Sequence, residues 1–383
     1  MKKVGLVTYC EGNFGSVLQC YATQSLLRER GVTCELLRRR EATRGGALRM
    51  KLSYRVDRTR KYLRYKSHRA EFDRMVALLS DGSAPRMNEA SAQRTRAFID
   101  THIVTRDVSY GTVKRVAKTD EYAAFLSGSD QIWSATWFIR NPWWFLRFAP
   151  ASKRVAFCPS FGGAAVAEYN LRDYRRYIGE YAYLSAREAS GAQIIRDLTG
   201  REAEVLSDPV VLLDRQGWSD FCKDGLRPDE PYILLFFLDK PSELALSMLR
   251  RVQALTGRRA VVFAYEHEEL ADLPVYSGDP ADFVSVIRGA DFVLTDSFHA
   301  CMFSTILGVP FFIFNRNSSA SVQSERVCNH VTTYGLADRY LHTEREVSAV
   351  DLVMAQDALD TALADKRAQM RAYMNTVMTG YGL

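Results

Sequence analysis

Long hydrophobic runs are absent from this sequence of 383 residues. The longest unbroken apolar stretch, at residues 233–238, has about six residues, whereas a helix that crosses a bilayer needs about 20. We therefore expect no membrane span. The first residues enter a β-like run and lack the apolar core of a signal peptide, so we expect a cytoplasmic protein.

Cysteine is sparse, with seven residues, an odd number, scattered along the chain. They form neither a disulfide framework nor a set with zinc-ligand spacing, so no metal site is expected. We predict that Cys10, Cys20 and Cys301 are small buried apolar residues. The sequence also lacks a nucleophile elbow, a P-loop and a Gly-x-Gly-x-x-Gly fingerprint, which argues against serine-hydrolase, ATPase and dinucleotide-binding activity.

Positive charge is concentrated in one segment of the chain. The net charge is +6, but residues 38–74 contain fourteen lysines and arginines against four acidic residues, a local charge of +10. We predict a basic helical insertion at about 38–100. It is either a solvated helix or a surface for an anionic membrane or a phosphorylated partner. No nucleic-acid-binding motif accompanies the charge, so no nucleic acid is expected as partner.

The composition and the pattern of short strands predict an α/β protein. Apolar residues make up 47% and charged residues 25%, a globular mixture long enough for about two domains. Strands alternate with glycine turns and helices, which indicates parallel βαβ units. We predict two Rossmann-like domains that face a cleft, at residues 1–227 and 228–345. A C-terminal segment, 346–383, is predicted to hold a helix at about 348–378 that packs back on both domains.

The most informative stretch is a strand that ends at Thr295 and a helix that starts near His299. Asp296 and Ser297 are natural helix N-caps, so His299 would lie in the first turn at the carboxyl edge of the sheet. That position suits contact with an anion and proton transfer to a substrate. The alternative is a histidine that caps its own helix or pairs with Asp296.

Other charged residues follow predicted strands. Arg187 can grip a carboxylate or phosphate with two parallel hydrogen bonds, or form a surface ion pair with Glu188 or Glu180. Asp130 follows a predicted strand and is either part of a site or a helix cap. The turn at residues 12–16 can cradle an anion at a helix start.

Aromatic residues crowd one stretch of sixteen residues. Aromatic rings can stack on sugars, so this stretch is either an acceptor platform or, for most members, part of the core. The residues are Trp133, Trp137, Trp143, Trp144, Phe145 and Phe148.

Several short motifs occur in an order that resembles the polysaccharide pyruvyl transferase family over nearly the whole chain. They are Asn13-Phe14-Gly15, Gly128-Ser129-Asp130-Gln131-Ile132-Trp133, Ser160-Phe161-Gly162, Ser185-Ala186-Arg187-Glu188, Asp208-Pro209-Val210 and Asp296-Ser297-Phe298-His299 with Gly308-Val309-Pro310-Phe311. The resemblance implies a fold like that of GT-B glycosyltransferases. It also implies transfer of the enolpyruvyl unit of phosphoenolpyruvate to two hydroxyls of a sugar as a ketal, in cell-surface polysaccharide (exopolysaccharide) biosynthesis, without a cofactor.

The family's arginine and histidine positions match Arg187 and His299. Phosphoenolpyruvate carries a carboxylate and a phosphate, so its site needs fixed cations. We expect His299 to protonate or bind the donor, Arg187 to clamp an anionic group, and Asp130 or Asp296 to accept a hydroxyl proton. The candidate substrate-binding residues are Asn13, Gly15, Ser16, Gly128, Ser129, Ser160, Ser297 and Phe298.

Two other functions stay open from the sequence. A GT-B glycosyltransferase with a nucleotide-sugar donor would share the architecture and a cleft histidine, and a non-catalytic member would keep only the fold. For the transferase, the expected partners are phosphoenolpyruvate, a sugar or lipid-linked oligosaccharide as acceptor, and an anionic membrane contacted peripherally at its inner face.

Overall fold

Parallel strands from the first half of the chain form one sheet. The computed structural model describes residues 2–40, 44–73, 86–134, 141–223, 225–316 and 324–383. The strands are β1 (Lys3–Val7), β2 (Cys34–Arg39), β3 (Thr105–Val108), β4 (Tyr122–Ser127) and β5 (Arg154–Ala156). They are arranged in the order β3-β2-β1-β4-β5, which is the strand order of a Rossmann sheet. The short parallel pair β6 (Ser185–Ala186) and β7 (Glu204–Val205) lies beyond β5, where Tyr183 bridges to Val155.

A second parallel sheet repeats this arrangement in the other half of the chain. Its strands are β8 (Tyr232–Phe236), β9 (Arg259–Phe263), β10 (Val275–Tyr276), β11 (Phe292–Thr295), β12 (Phe311–Phe314) and β13 (Tyr340–Leu341). Their order is β10-β9-β8-β11-β12-β13, again with the first strand of the unit at the centre. The predicted fold class, two Rossmann-like α/β units, is therefore confirmed. The limits predicted for the domains stay a prediction.

Helices connect the strands and cover the sheets. They are α1 (Phe14–Arg28), α2 (Arg44–Arg64), α3 (Glu89–His102), α4 (Tyr110–Val116), α5 (Glu168–Gly179), α6 (Ala189–Thr199), α7 (Arg215–Phe221), α8 (Glu243–Thr256), α9 (Pro280–Arg288), α10 (Phe298–Leu307), α11 (Ser324–Thr333) and α12 (Gln356–Gly380). Within the described ranges, no helix is both long enough and apolar enough to span a membrane.

The two sheet units are joined by a shared apolar core. Phe14, at the start of α1, packs against Phe283 and Phe263 of the second unit, with ring centroids 5.2 and 5.4 Å apart. The same buried cluster includes Leu6 of β1 and Leu234 of β8. Because burial of this surface depends on both units, the core fixes how the edges of the two sheets face each other.

The C-terminal helix α12 returns to the first unit. The Tyr373 hydroxyl donates to the carbonyl of Ala156 in β5 at 2.7 Å, and both side chains are buried. The helix begins at Gln356, later than the predicted start at residue 348. The reason is local: a capping box between Ser348 and Asp351 closes a separate 3-10 turn at Ala349–Leu352, after which Val353 is extended.

The basic insertion predicted at about 38–100 is helical at Arg44–Arg64 and Glu89–His102, whereas residues 38 and 39 still belong to β2. Its helix α2 docks on α5 through Lys61, whose ammonium group donates to Asn170 at 2.7 Å. Phe72 then packs edge-to-face on Tyr169, with ring centroids 4.8 Å apart. Arg74, at the end of the predicted segment, lies outside the described residues.

Most of the aromatic stretch is core. Trp133 and Phe145 are buried and stacked at 5.6 Å, and Trp143 and Phe148 are buried beside them, whereas Trp144 is half-buried. Trp137 lies outside the described residues. Core packing is therefore confirmed for Trp133, Trp143, Phe145 and Phe148. The predicted burial of Cys10, Cys20 and Cys301 is also confirmed.

We expect the substitution Met374→Ala in α12 to lower the free energy of unfolding by about 3 kcal/mol, because it removes a fully buried side chain and leaves a cavity. The midpoint of urea unfolding measures the change. Thr376→Ala, on the exposed face of the same helix, is the control and should change stability by less than about 0.5 kcal/mol. Equal midpoints for the two variants would show that α12 does not belong to the shared core.

Candidate active site

The crevices of the two sheets open toward each other. In a Rossmann sheet, the strand order reverses at a central point, and ligands bind outside the carboxyl ends of the strands there. In the first unit this point lies between β1 and β4, which Tyr9 and Asp130 follow. In the second it lies between β8 and β11, which Leu238 and Ser297 follow. All four residues line one cavity of about 240 Å³, which we call the cleft cavity.

His299 lines the cleft cavity from the first turn of α10. Ser297 caps this helix by accepting from the amide of Ala300 at 3.4 Å, which confirms the predicted cap. The imidazole packs directly on Gly15 of α1, where an added Cβ would lie 2.1 Å from its Cγ. Only glycine therefore lets α1 approach the histidine so closely.

The buried carboxylate of Asp208 joins the predicted histidine and arginine. Its Oδ2 accepts from Arg187 Nη1 at 2.7 Å and from the Ser129 hydroxyl at 3.0 Å, and lies 3.5 Å from His299 Nε2. Its Oδ1 accepts from the amide of Val210. Asp208 was part of a quoted motif but was not predicted as a site residue, since nothing in its sequence neighbourhood indicates its partners.

Positive side chains control the ionisation of the two site aspartates. Burial would raise the pKa of Asp208, but His299 and Arg187 outweigh it and hold this pKa well below its usual range. Burial likewise opposes ionisation of Asp130, whose pKa is nevertheless lowered by His299, Arg187 and Arg326. Both carboxylates are therefore charged at neutral pH.

Arg187 lies behind His299 as seen from the cleft cavity and does not line that cavity. It is buried and lines a smaller cavity of about 30 Å³, separated from the cleft cavity by Phe298, whose ring centroid is 4.6 Å from its guanidinium carbon. Its main ion-pair partner is Asp208, whereas Glu188 is 3.9 Å away. The surface ion pair with Glu188 or Glu180 considered from the sequence is thus replaced by a buried one.

Arg326, on α11, is a further cation of the site. Its guanidinium contacts the same Phe298 ring at 5.4 Å, lies 3.5 Å from Asp130, and borders both cavities. Burial and the neighbouring Arg187 lower the pKa of Arg326 to about 9. It was missed from the sequence, where it stands among polar residues without a recognisable motif. Arg316, after β12, also lines the cleft cavity.

Several donors of these cations have no hydrogen-bond partner among the described residues. They are Nε and Nη2 of Arg187 and Nε of Arg326, and all are buried. A buried donor without a partner costs free energy, more so on a charged group. Such donors beside a cavity therefore indicate a place for an anionic ligand.

Of the remaining predicted site residues, some line the cleft cavity and others do not. Asn13 and Ser16 line the cleft cavity, and the Ser16 hydroxyl donates to Asp130 Oδ2 at 2.5 Å. Asp130 has a left-handed φ of 67°, a strained conformation for a non-glycine residue. Gly128 continues β4, its amide donating to the carbonyl of Val7. Ser160 is fully buried and donates to Glu188 at 2.8 Å rather than lining the cleft cavity.

Asp296 does not cap α10 and does not pair with His299. Its Oδ1 instead accepts from the amide of Leu238 at 2.7 Å, and Arg316 Nε lies 3.8 Å from its Oδ2. Burial raises the pKa of Asp296 to about 6, although Arg316 and the Leu238 amide oppose this shift. The carboxyl group links the ends of β8 and β11 beneath the cavity.

A second, larger cavity adjoins the cleft cavity. It has a volume of about 560 Å³ and shares Glu11 with the cleft cavity. Its wall combines Arg38, Arg40 and Arg96 with apolar side chains such as Ile99. We call it the outer cavity. Among the described residues, no group of three or more histidine, cysteine, aspartate or glutamate side chains is arranged to hold a metal ion.

A family model described as polysaccharide pyruvyl transferase matches residues 13–318, most of the chain. The chain belongs to the polysaccharide pyruvyl transferase family. This family member is therefore a transferase, and the resemblance seen in the sequence is confirmed. No curated protein matches its sequence.

Solved structures of other families are similar to it at low identity. A putative UDP-N-acetylglucosamine 2-epimerase from Listeria monocytogenes shares 9% identity over 96% of each chain, with a TM-score of 0.49. A UDP-glucosyltransferase from Polygonum tinctorium shares 10% identity over 100% of this chain and 99% of its own, also at 0.49. MurG from Acinetobacter baumannii shares 10% identity over 97% and 95%, at 0.40. None of these similarities bears on the substrate of this family member.

We expect Asp296→Asn to stabilise the protein at neutral pH. Because the folded-state pKa of Asp296 lies above the value of about 3.9 in an unfolded chain, ionisation costs stability as the pH rises from about 4 to about 6. Asparagine stays neutral and still accepts from Leu238. The variant should therefore be more stable by about 3 kcal/mol at pH 7, and the gain should shrink toward pH 4.

Denaturation curves at several pH values measure this difference. Asp365→Asn, on the exposed face of α12, is the matched control. A gain that is constant with pH, or that grows as the pH falls, would contradict the assignment.

Proposed function

We propose that this protein transfers the pyruvyl group of phosphoenolpyruvate to two hydroxyls of a sugar as a ketal. The observation that carries the proposal is that His299, Arg316 and Arg326 line one cleft cavity, where the buried Nε of Arg326 has no hydrogen-bond partner among the described residues. Phosphoenolpyruvate has a carboxylate and a phosphate on adjacent positions, so a compact group of fixed cations matches its charge. Membership of the pyruvyl transferase family supports the same donor.

The donor anion is held by Arg326 and Arg316 in the cleft cavity. Both arginines line this cavity, whereas Arg187 lines the smaller one behind Phe298. We therefore assign the direct contact to Arg326 and Arg316, and a positioning role to Arg187. Through Asp208, which it contacts at 2.7 Å, Arg187 fixes the orientation of His299.

His299 supplies the proton that activates the donor. As imidazolium, it protonates the methylene carbon of phosphoenolpyruvate, which becomes a methyl group and leaves the neighbouring carbon electrophilic. A sugar hydroxyl adds to that carbon, the C–O bond to phosphate breaks, and a second hydroxyl forms the ketal. One hydroxyl proton replaces the proton given to the methyl group, and the other leaves with the phosphate. No redox cofactor takes part in this balance.

Asp130 accepts the hydroxyl proton in this scheme. It lines the cleft cavity and is ionised because of its positive neighbours, whereas Asp296 does not line this cavity and burial raises its pKa. The acceptor sugar enters from the outer cavity, which adjoins the cleft at Glu11. Its arginines suit a sugar linked to a phosphate group, as in a lipid-linked oligosaccharide.

Thermal stability with ligands tests the donor. Phosphoenolpyruvate should raise the melting temperature, and UDP- or GDP-sugars should not, because a ligand stabilises only the state that binds it. Turnover is then followed as phosphate release and mass gain with lipid-linked and nucleotide-linked sugars.

His299→Gln should still be stabilised by the donor but should turn over about 10²–10⁴-fold more slowly. Arg326→Gln should raise KM for the donor about 10–100-fold.

His342→Gln and Arg250→Gln, both exposed on the second unit, are the controls and should behave as the wild type. Stabilisation by a nucleotide sugar alone would replace the proposal with glycosyl transfer. Failure of every donor to stabilise the protein would indicate a non-catalytic member, and normal turnover in His299→Gln would remove its assigned role.

Gly15→Ala should impair catalysis while preserving the fold. The added Cβ would meet three atoms of His299 within 2.5 Å, so the imidazole must move, and a displacement of about 1 Å can cost about 10²-fold in rate. Gly111→Ala, near the start of α4, is the matched control, since its nearest neighbour is 3.9 Å away. Phosphate release at the wild-type rate in Gly15→Ala would argue against a catalytic imidazole at this position.

A further inference from the structure

The helix α2 carries an apolar stripe on its outer side. Leu52, Val56 and Leu63 are 58%, 40% and 59% exposed. Their spacings of four and seven residues bring them to one face of the helix. We call these three residues the outer stripe. Isolated exposed apolar residues are common on proteins, but three aligned on one helix form a surface that water solvates poorly.

The side of α2 opposite the outer stripe packs on α5, so the outer stripe faces away from the rest of the protein. Lys61, which lies half a turn around the helix from Leu52, is buried and donates to Asn170 of α5. The turn after α2 is held as well, since His68 contacts Glu168 at 3.2 Å and Phe72 packs on Tyr169. Among the described side chains of α2, those of the outer stripe therefore face away from α5.

Positive charge flanks the outer stripe. Arg55 and Arg60 are exposed on either side of the stripe, and Arg58 is exposed further around the helix. The sequence of α2 contains eight lysines and arginines against one aspartate, a net charge of +7. An apolar stripe between cationic side chains is the pattern of a helix that lies in the interface of a membrane. A partner recognised by charge alone, such as a nucleic acid, would not need the stripe.

From this pattern we infer that the outer face of α2 docks the protein on a bilayer of anionic lipids. The stripe enters the headgroup region, and the arginines neutralise lipid phosphates. In the sequence, α2 begins at Arg44, shortly after Arg38 and Arg40, which line the outer cavity. The substrate class that follows, a lipid-linked acceptor sugar presented at the membrane, rests on the proposed function.

Vesicle flotation tests the docking. The protein should float with vesicles of equal parts phosphatidylglycerol and phosphatidylcholine, and not with phosphatidylcholine alone. Binding should weaken strongly between about 0.1 M and about 1 M salt, because exposed charges are then screened.

The triple variant Leu52→Gln, Val56→Gln, Leu63→Gln should lose at least tenfold in vesicle affinity. The triple variant Arg55→Gln, Arg58→Gln, Arg60→Gln should lose about fivefold for each arginine.

Matched controls alter the same kinds of residue elsewhere. Leu255, Val350 and Val353 are 41%, 76% and 65% exposed, and their joint change to Gln should leave flotation unchanged. Lys114, Arg115 and Lys118 are exposed cations near α4, and their change to Gln should have less effect than the loss of the three arginines of α2.

The outcomes separate docking from the transferase proposal. Flotation that is unaffected by either α2 variant, or that is equal on neutral vesicles, would overturn the inference. So would binding to soluble heparin that is as strong as vesicle binding and insensitive to the outer-stripe variant, since this would indicate a charged partner instead. Stabilisation of the α2 variants by phosphoenolpyruvate should match the wild type. If the wild type floats but no donor stabilises it, docking stands and the proposed reaction fails.

Discussion

The arrangement of the site depends on one buried carboxylate, Asp208. It lies in the first unit but contacts both Arg187 of that unit and His299 of the second. A buried carboxylate is tolerated only when it is paired and hydrogen-bonded, and here an arginine, a serine and a backbone amide meet that need. The histidine therefore acquires its orientation from across the cleft. Any change in how the units face each other would alter this contact.

The apolar core supplies the rigidity that this contact requires. Phe14 packs into the second unit one residue before Gly15, which abuts the imidazole. The same helix start thus joins the units and sets the position of His299. The helix α12, from the C-terminal end of the chain, strengthens the junction through its hydrogen bond to β5. Stability and site geometry are in this way produced by the same elements.

The cleft combines two kinds of surface, an interior with buried cations and an outer cavity lined by arginines. The interior has buried arginines with donors that find no hydrogen-bond partner among the described residues, and this is where we propose that the anionic donor binds. The outer cavity adds arginines on a wall with apolar side chains, and the basic helix begins next to it in the chain. The proposed reaction needs both surfaces, because the small anionic donor would bind in the interior and the larger acceptor would enter from the basic side.

Local sequence patterns determined much of this protein. Alternating strands, glycine turns and helix caps predicted the two parallel sheets and placed His299 after β11, because these features depend on residues close together in the chain. Only the tertiary structure decided that Asp208 joins Arg187 to His299 and that Arg326 enters the site from α11. It also decided that Asp296 accepts a hydrogen bond from the Leu238 amide and that α12 begins at Gln356. Those contacts join residues far apart in the chain or depend on packing around them, so local periodicity carries no information about them.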